Sequence, residues 1–349
     1  MSKLKVPVVL FMYKRRDTTL RVLRAIAAAS PSRLYLIGDG PRTTADVERV
    51  RECREAVDTL ADTLDCEVIR NFADANRGVF ENIAGGARWV FEREDQAIFL
   101  EDDTIPDPTF FPFCEEMLER YDDDDRVLWV CGTNYLGVQD TKDGSDYVFT
   151  QHMLPCGWAS WRSKFPRYYD GELELFTSEN VDRIRSEYAS QRLYQYDVSR
   201  VGTEHKRREN GDPFLSWDYQ MAFSIRVHKK LGIAPRCNLI LNVGDDADST
   251  HGGTSRFNTM TRRFCGIPTQ SLDFPLRHPS QMVIDQRFEA RTTRIVLPPT
   301  SNMRRSAVLA FKWAFSVPDD VSTREALHHL RSRWFTRGRG HATRGPRND

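Results

Sequence analysis

The sequence has no apolar run approaching the roughly eighteen residues that a membrane-spanning helix needs, and its longest early run, residues 6–13, is too short for a signal-peptide core with a cleavage site. It also lacks any C-x-x-C pair. Its seven cysteines (Cys53, Cys66, Cys114, Cys131, Cys156, Cys237, Cys265) are odd in number and scattered, which argues against a disulfide framework or a cysteine-based zinc site and for free thiols in a reducing cytoplasm. Net charge is absent too, with 50 Lys and Arg balancing 50 Asp and Glu, so no overall field points to a nucleic-acid partner. Internal repeats are missing. What is present is an ordinary globular composition, 40% hydrophobic and 29% charged. The charge is uneven: residues 301–349 carry ten basic against four acidic side chains, a patch suited to phosphate or to peripheral contact with an anionic membrane.

Hydrophobic patterning in the first half alternates between strand and helix, which predicts an α/β fold with a mostly parallel sheet flanked by helices. Strands are expected at 6–13, 33–37, 67–71 and 97–100, and helices at 17–29 with Asp17 as N-cap, 44–64 and 80–92. Further on, a helix at 110–121, a strand at 127–131, a strand at 147–151 and a helix at 180–194 are expected, then a polar, mobile loop at 202–213. A helix at 217–231, a strand at 234–242 and two late helices around 308–315 and 324–334 complete the reading. The domain division that follows is 1–255, in halves 1–135 and 136–255, then a helical extension at 256–335 and a disordered basic tail at 336–349.

The chemistry concentrates where the fourth strand ends. Glu101, Asp102 and Asp103 are three consecutive acids after a wholly apolar run, and like charges so placed repel unless a cation joins them. Mn2+ or Mg2+, which favour hard oxygen ligands and bridge phosphates, would satisfy them. Asp39, in Gly38-Asp39-Gly40, could accept the imide N–H of a pyrimidine, although Asp-Gly is also a common turn signal. Asn76 and Arg77 precede a helix and could meet phosphate or sugar hydroxyls, or equally form a simple helix entry. Asp218 could be a general base or a helix-capping acid, and its neighbour Trp217 offers a flat face for a sugar. His251, in a Gly, Asp and Thr-rich loop, could complete a metal shell, as could Asp245, Asp246 and Asp248. Glu204, His205 and the basic residues 206–208 read as solvated surface, and so do the acids at 122–125.

The segment LEDDTIPDPTFFPFCEEMLERYDDDDRVLWVCGTN resembles the metal-site region of GT-A glycosyltransferases, most closely the N-acetylglucosaminyltransferase I type. The triplet, Pro106-Asp107, Phe110-Phe111, Phe113, Leu128-Trp129 and Asn134 agree with it in order and spacing. The likeness continues through residues 154–158, similar to an acceptor-site turn that includes Trp158, and through Trp217-Asp218, similar to the pair whose acid serves that family as base. Cys156 interrupts the glycine-rich turn, and Tyr219 stands where a second acid would follow. The first strand and its following residues are similar to the family's nucleotide-binding half, which places Tyr13, Arg15, Asp39, Asn76, Arg77 and Asp102 among the expected donor contacts. Bacterial putative sugar transferases of the family-2 kind are similar over the same stretch and share Asn242, Gly244, Thr250 and His251.

The resemblance implies the GT-A fold and inverting transfer from a nucleotide diphosphate donor, UDP-linked, to a glycan, lipid-linked or small-molecule acceptor, with Asp103, Glu101 and His251 toward the metal, Asp218 as base, and Trp158 and Trp217 toward the acceptor. A binding or regulatory protein that keeps the fold without transfer is the alternative. An enzyme that makes sugar nucleotides is disfavoured because no Gly-rich loop bearing Arg and Lys follows the first strand.

Overall fold

The computed structural model describes residues 3–245, 263–298, 307 and 310–315. The chain divides into two compact units, Met1–Thr293 and Arg294–Asp349. The expected boundary at residue 255 falls within the first and outside the described residues. In the second unit the described residues of 310–314 are helical, with the Phe311 and Phe315 rings 5.0 Å apart. The rest of the expected helix at 308–315 and all of that at 324–334 lie outside the described residues.

The first unit is built on an eight-stranded sheet in the order β3-β2-β1-β4-β8-β6-β9-β7. Its strands are β1 (Val8–Met12), β2 (Arg33–Gly38), β3 (Glu67–Phe72), β4 (Gln96–Glu101), β6 (Val127–Cys131), β7 (Tyr147–Thr150), β8 (Trp158–Trp161) and β9 (Leu231–Pro235). The pairings leave β8 and β7 running against the other six, so the sheet is mostly parallel, as the sequence pattern predicts. β1 is VVLFM with every residue buried, the unbroken apolar run of a strand covered on both faces. Alternate side chains serve opposite layers. Val8, Leu10, Leu34 and Leu36 join the core of α1 (Arg16–Ala28) and α2 (Val47–Ala61). Phe11 and Phe99 face the other way, where Phe99 packs on Phe91 at the end of a third helical run. That run, α3, comprises Gly78–Phe80, a π-helical turn at Glu81–Gly85, and Gly86–Phe91.

The chain winds outward from β1 through β2 to β3, then returns to place β4 on the other flank of β1. At such a reversal the helices depart to opposite faces and leave a crevice at the carboxyl ends of the two strands, the usual ligand site of an open α/β sheet. Residues following β1 and β4 therefore meet there. A small second sheet pairs β10 (Ile240–Asn242) antiparallel with β5 (Thr104–Pro106), directly after the acids.

Several local expectations are corrected. Asp17 lies inside the first turn of α1 and does not cap it; the N-cap is Arg15. The helix expected at 180–194 is two, α6 (Ser178–Ile184) and α7 (Gln191–Glu209), and α7 absorbs most of the loop expected at 202–213. Its polar sequence hides a narrow buried face of Leu193, Tyr194, Val201 and Glu204. The next helix, α8 (Asp218–Val227), stops short of residue 231, where β9 begins, and the single strand expected at 234–242 is split between β9 and β10. A helix at Gln286–Val296, α9, begins within the expected extension, ahead of the two helices placed there from sequence. The acids at 122–125 do form a turn, but Asp125 is held by Lys230 and by the Tyr168 hydroxyl.

Candidate functional site

At the crevice, the parallel register sets Phe11 beside Glu101, so the next residues of both strands leave the sheet together. The Tyr13 N–H donates to Asp102 Oδ2 at 3.2 Å. Arg15 Nη1 donates to Asp103 Oδ2 at 2.6 Å and lies 3.4 Å from Asp102 Oδ1, with all three side chains largely covered. The chain turns sharply here because the Thr104 hydroxyl accepts the Glu101 N–H and donates to the Glu101 carbonyl, both at 2.9 Å. Burial pushes the Glu101 carboxyl well above the usual range, and the charges of Asp103, Asp102 and Asp218 push the same way against Arg15. Asp218 is thus within electrostatic reach of the triplet, although it comes from the far half of the chain.

Asp39 ends β2 nearly buried, with 6% exposure. Its Oδ1 accepts the N–H groups of Gly40 and Arg77 at 2.8 and 2.7 Å, and its Oδ2 accepts Asn76 Nδ2 and the Gly78 N–H at 2.8 and 3.2 Å. All four acceptor positions of the carboxylate are filled. In this arrangement the residue ties the entry of α3 to the end of β2. Gly40 is required at this crossing, since a Cβ would lie 2.4 Å from the Ala75 carbonyl carbon. The Arg77 guanidinium is held by Asn71 Oδ1 at 2.9 Å, which orients it beside the same edge.

The opposite wall of the crevice is aromatic. Trp158 starts β8 opposite Phe99, stacks on Phe99 at 3.9 Å and on Trp129 at 4.2 Å, and has only 1% exposure. Trp217 leans on Trp158 and Trp129 at 5.6 and 6.0 Å and is 4% exposed. Both rings are buried in this wall, where Trp217, expected to offer a flat face to a sugar, meets Trp158 and Trp129. That wall seats Asp218 as the first residue of α8. The Ser216 hydroxyl donates to Asp218 Oδ1 at 2.7 Å while accepting the Tyr219 N–H at 3.0 Å, so Ser216 holds both the start of the helix and the carboxylate. Glu204, expected on the surface, is 4% exposed and accepts the N–H groups of Leu215 and Ser216 at 2.8 and 3.3 Å. Sequence reading missed Ser216 and Glu204; a serine two residues before a helical acid was the available sign.

The small sheet closes the site from below. The Val243 N–H donates to the Asp103 carbonyl at 2.9 Å, and the Asn242 amide links Cys156 Sγ at 3.2 Å to Cys265 Sγ at 3.5 Å. A Cβ on Gly244 would stand 2.3 Å from Asp103 Oδ2, so any other residue there would push that carboxylate aside. His251, Asp246 and Asp248 lie outside the described residues. No three His, Cys, Asp or Glu side chains among the described residues converge as a ready cation cage. The groups that are present, the carboxylates of the triplet, suit a hard divalent ion whose other ligands come from elsewhere, such as a diphosphate. Such an ion would share Asp103 with Arg15.

No family model and no curated protein matches this sequence. Solved structures with similar chain paths include TarS 1-349 of S. aureus, at 8% identity and TM-score 0.37 over 69% of this chain. This chain spans 60% of that TarS chain. Mouse xyloside xylosyltransferase 1 is similar at 12% identity and TM-score 0.32, covering 65% of this chain and 83% of its own. The mannosyltransferase PcManGT of Pyrobaculum calidifontis, solved with GDP-Man and Mn2+, is similar at 14% identity and TM-score 0.35, covering 65% and 70%.

Proposed function

We propose that this protein is a metal-dependent glycosyltransferase of the GT-A type that moves a sugar from a UDP-linked donor to a hydroxyl of a glycan, lipid-linked or small-molecule acceptor, with inversion at the anomeric carbon. The observation that supports the reading is the run of acids at the carboxyl end of β4, beside the end of β1 where the strand order reverses, with Asp218 within electrostatic reach. In this reading the acceptor oxygen attacks the anomeric carbon as the bond to the diphosphate breaks. Asp218 takes the hydroxyl proton on the oxygen that Ser216 leaves free. Arg15 and Arg77 face the phosphates or sugar, and the nucleotide is framed by Tyr13 with Asp102, which accepts its N–H, and by Asn76 with Asp39, which holds it. Asp103 would hold Mn2+ or Mg2+, with Glu101 behind it and His251 as a further ligand, and the ion when bound offsets the charge that the leaving diphosphate gains.

The test is a panel of UDP-, GDP- and TDP-sugars with manganese or EDTA, read by thermal shift and by slow release of free nucleotide. Stabilisation by a UDP-sugar only in manganese, lost in Asp103→Ala, is the expected result. An Asp103→Ala protein with wild-type nucleotide affinity in manganese would remove Asp103 from that role. The location that goes with this reading is the cytoplasm, with peripheral membrane contact through the basic C-terminal residues. Among the described residues no helix is long and apolar enough to cross a membrane.

A further inference from the structure

The carboxylate expected to hold a metal ion already holds a cation. Arg15 stands at the N-cap of α1, where its carbonyl accepts the Thr19 N–H at 3.0 Å and the Thr18 and Thr19 hydroxyls at 3.2 and 2.6 Å. The helix start thus fixes the Arg15 backbone, and the side chain crosses from the end of β1 to the end of β4. There Nη1 meets Asp103 Oδ2 at 2.6 Å and Asp102 Oδ1 at 3.4 Å. The Arg15, Asp102 and Asp103 side chains are only 13%, 13% and 19% exposed, so solvent and salt screen this pairing little.

Two cations therefore have a claim on Asp103, and they differ in what they need. A guanidinium is weakly hydrated and binds a carboxylate through N–H groups that it already carries. Mn2+ or Mg2+ must shed water and then fill about six positions with oxygen. The protein offers it few: among the described residues no three His, Cys, Asp or Glu side chains gather as a cage. Alone with the acids, the guanidinium has the advantage. A diphosphate reverses the balance, because it brings oxygens for the ion and a new anion for the arginine at once.

We propose that Arg15 is a built-in competitor of the divalent ion: it holds Asp103 in the absence of a diphosphate and passes to the phosphates when the ion takes that carboxylate. The inference rests on the transferase reading for the ion and the diphosphate, and it adds that each admits the other through this one side chain. An arginine that merely kept the acids in shape for the ion has the opposite signature. Its removal would weaken metal binding, whereas removal of a competitor strengthens it.

The test uses the full chain and manganese alone, with free Mn2+ followed by electron paramagnetic resonance. Arg15→Gln is expected to bind manganese at least about fivefold more tightly than the wild type when no nucleotide is present. Arg15→Lys, which keeps the charge but loses the planar fork, should lie between them, and it carries the test should circular dichroism in EDTA show Arg15→Gln to be unfolded. Adding UDP should raise manganese affinity by a larger factor in the wild type than in Arg15→Gln, and manganese should raise UDP affinity by the same factors. Manganese binding without UDP that is unchanged or weaker in both variants would overturn the proposal. The wild type with UDP reports on the transferase reading by itself. Absence of manganese binding there counts against a metal-dependent transferase, while its presence beside unimproved variants removes only the role of Arg15.

Discussion

Asp218 owes its orientation to one hydroxyl. Ser216 Oγ donates to Asp218 Oδ1 and receives the Tyr219 N–H, so one small side chain fixes both the carboxylate and the helix start. Asp218→Asn should keep nucleotide affinity and reduce turnover by about two to four orders of magnitude, the usual contribution of a positioned base. Ser216→Ala should lower turnover far less, by about tenfold, because the carboxylate loses the hydrogen bond that orients it. Unchanged turnover in Ser216→Ala would show that this contact shapes the helix only. Much of this was legible residue by residue. The triplet stood out by its position after an apolar run, and Asp218 as an acid opening a helix after a polar loop. The surroundings of Asp39, Trp158 and Trp217 did not, since a carboxylate that meets four donors and a buried ring read the same in sequence as free ones.

Between residue and fold stands the tether from α7 to α8. Glu204 reaches from α7 to two backbone N–H groups of the connection, and so sets where Ser216 and Asp218 can stand. Glu204→Ala leaves two donors without their acceptor and should destabilise by about 1–3 kcal/mol. Chemical denaturation would show this as a lower midpoint at constant slope, and an unchanged midpoint would mean that water replaces the carboxylate fully. β1, β2 and β4 were readable because each is largely an apolar run bounded by turns, and β3 as the short Val68-Ile69 pair that follows the second helix. α7 was not, because most of its nineteen residues are polar and its few buried positions gain their meaning only from the partners they meet.

Across the whole molecule, one buried ammonium ties the acidic turn to β8. Lys164 is 3% exposed, donates to the Asp124 carbonyl at 2.9 Å and lies 3.8 Å from the Trp161 ring centre. Burial pushes it down to about 8 from 10.5, against the pull of Asp122, Asp124 and Asp125. The folded protein therefore binds fewer protons than the unfolded chain between those values, and stability gains from this residue as pH rises from about 8 to 10.5. Below about 8 the cost of burying the charge is fully present. Comparing unfolding free energies of wild type and Lys164→Met across that window isolates the effect from tyrosines and thiols titrating nearby. Identical pH slopes in the two proteins would show that the ammonium stays hydrated.

The stacked indoles have a further consequence. Trp129, Trp158 and Trp217 lie within 4.2 to 6.0 Å of one another, close enough for their electronic transitions to couple. One member of this trio is the immediate neighbour of Asp218. The molecule thus carries its own chromophore at the crevice, and any shift of α8 that moves Trp217 is written into the near-ultraviolet spectrum without a label being attached.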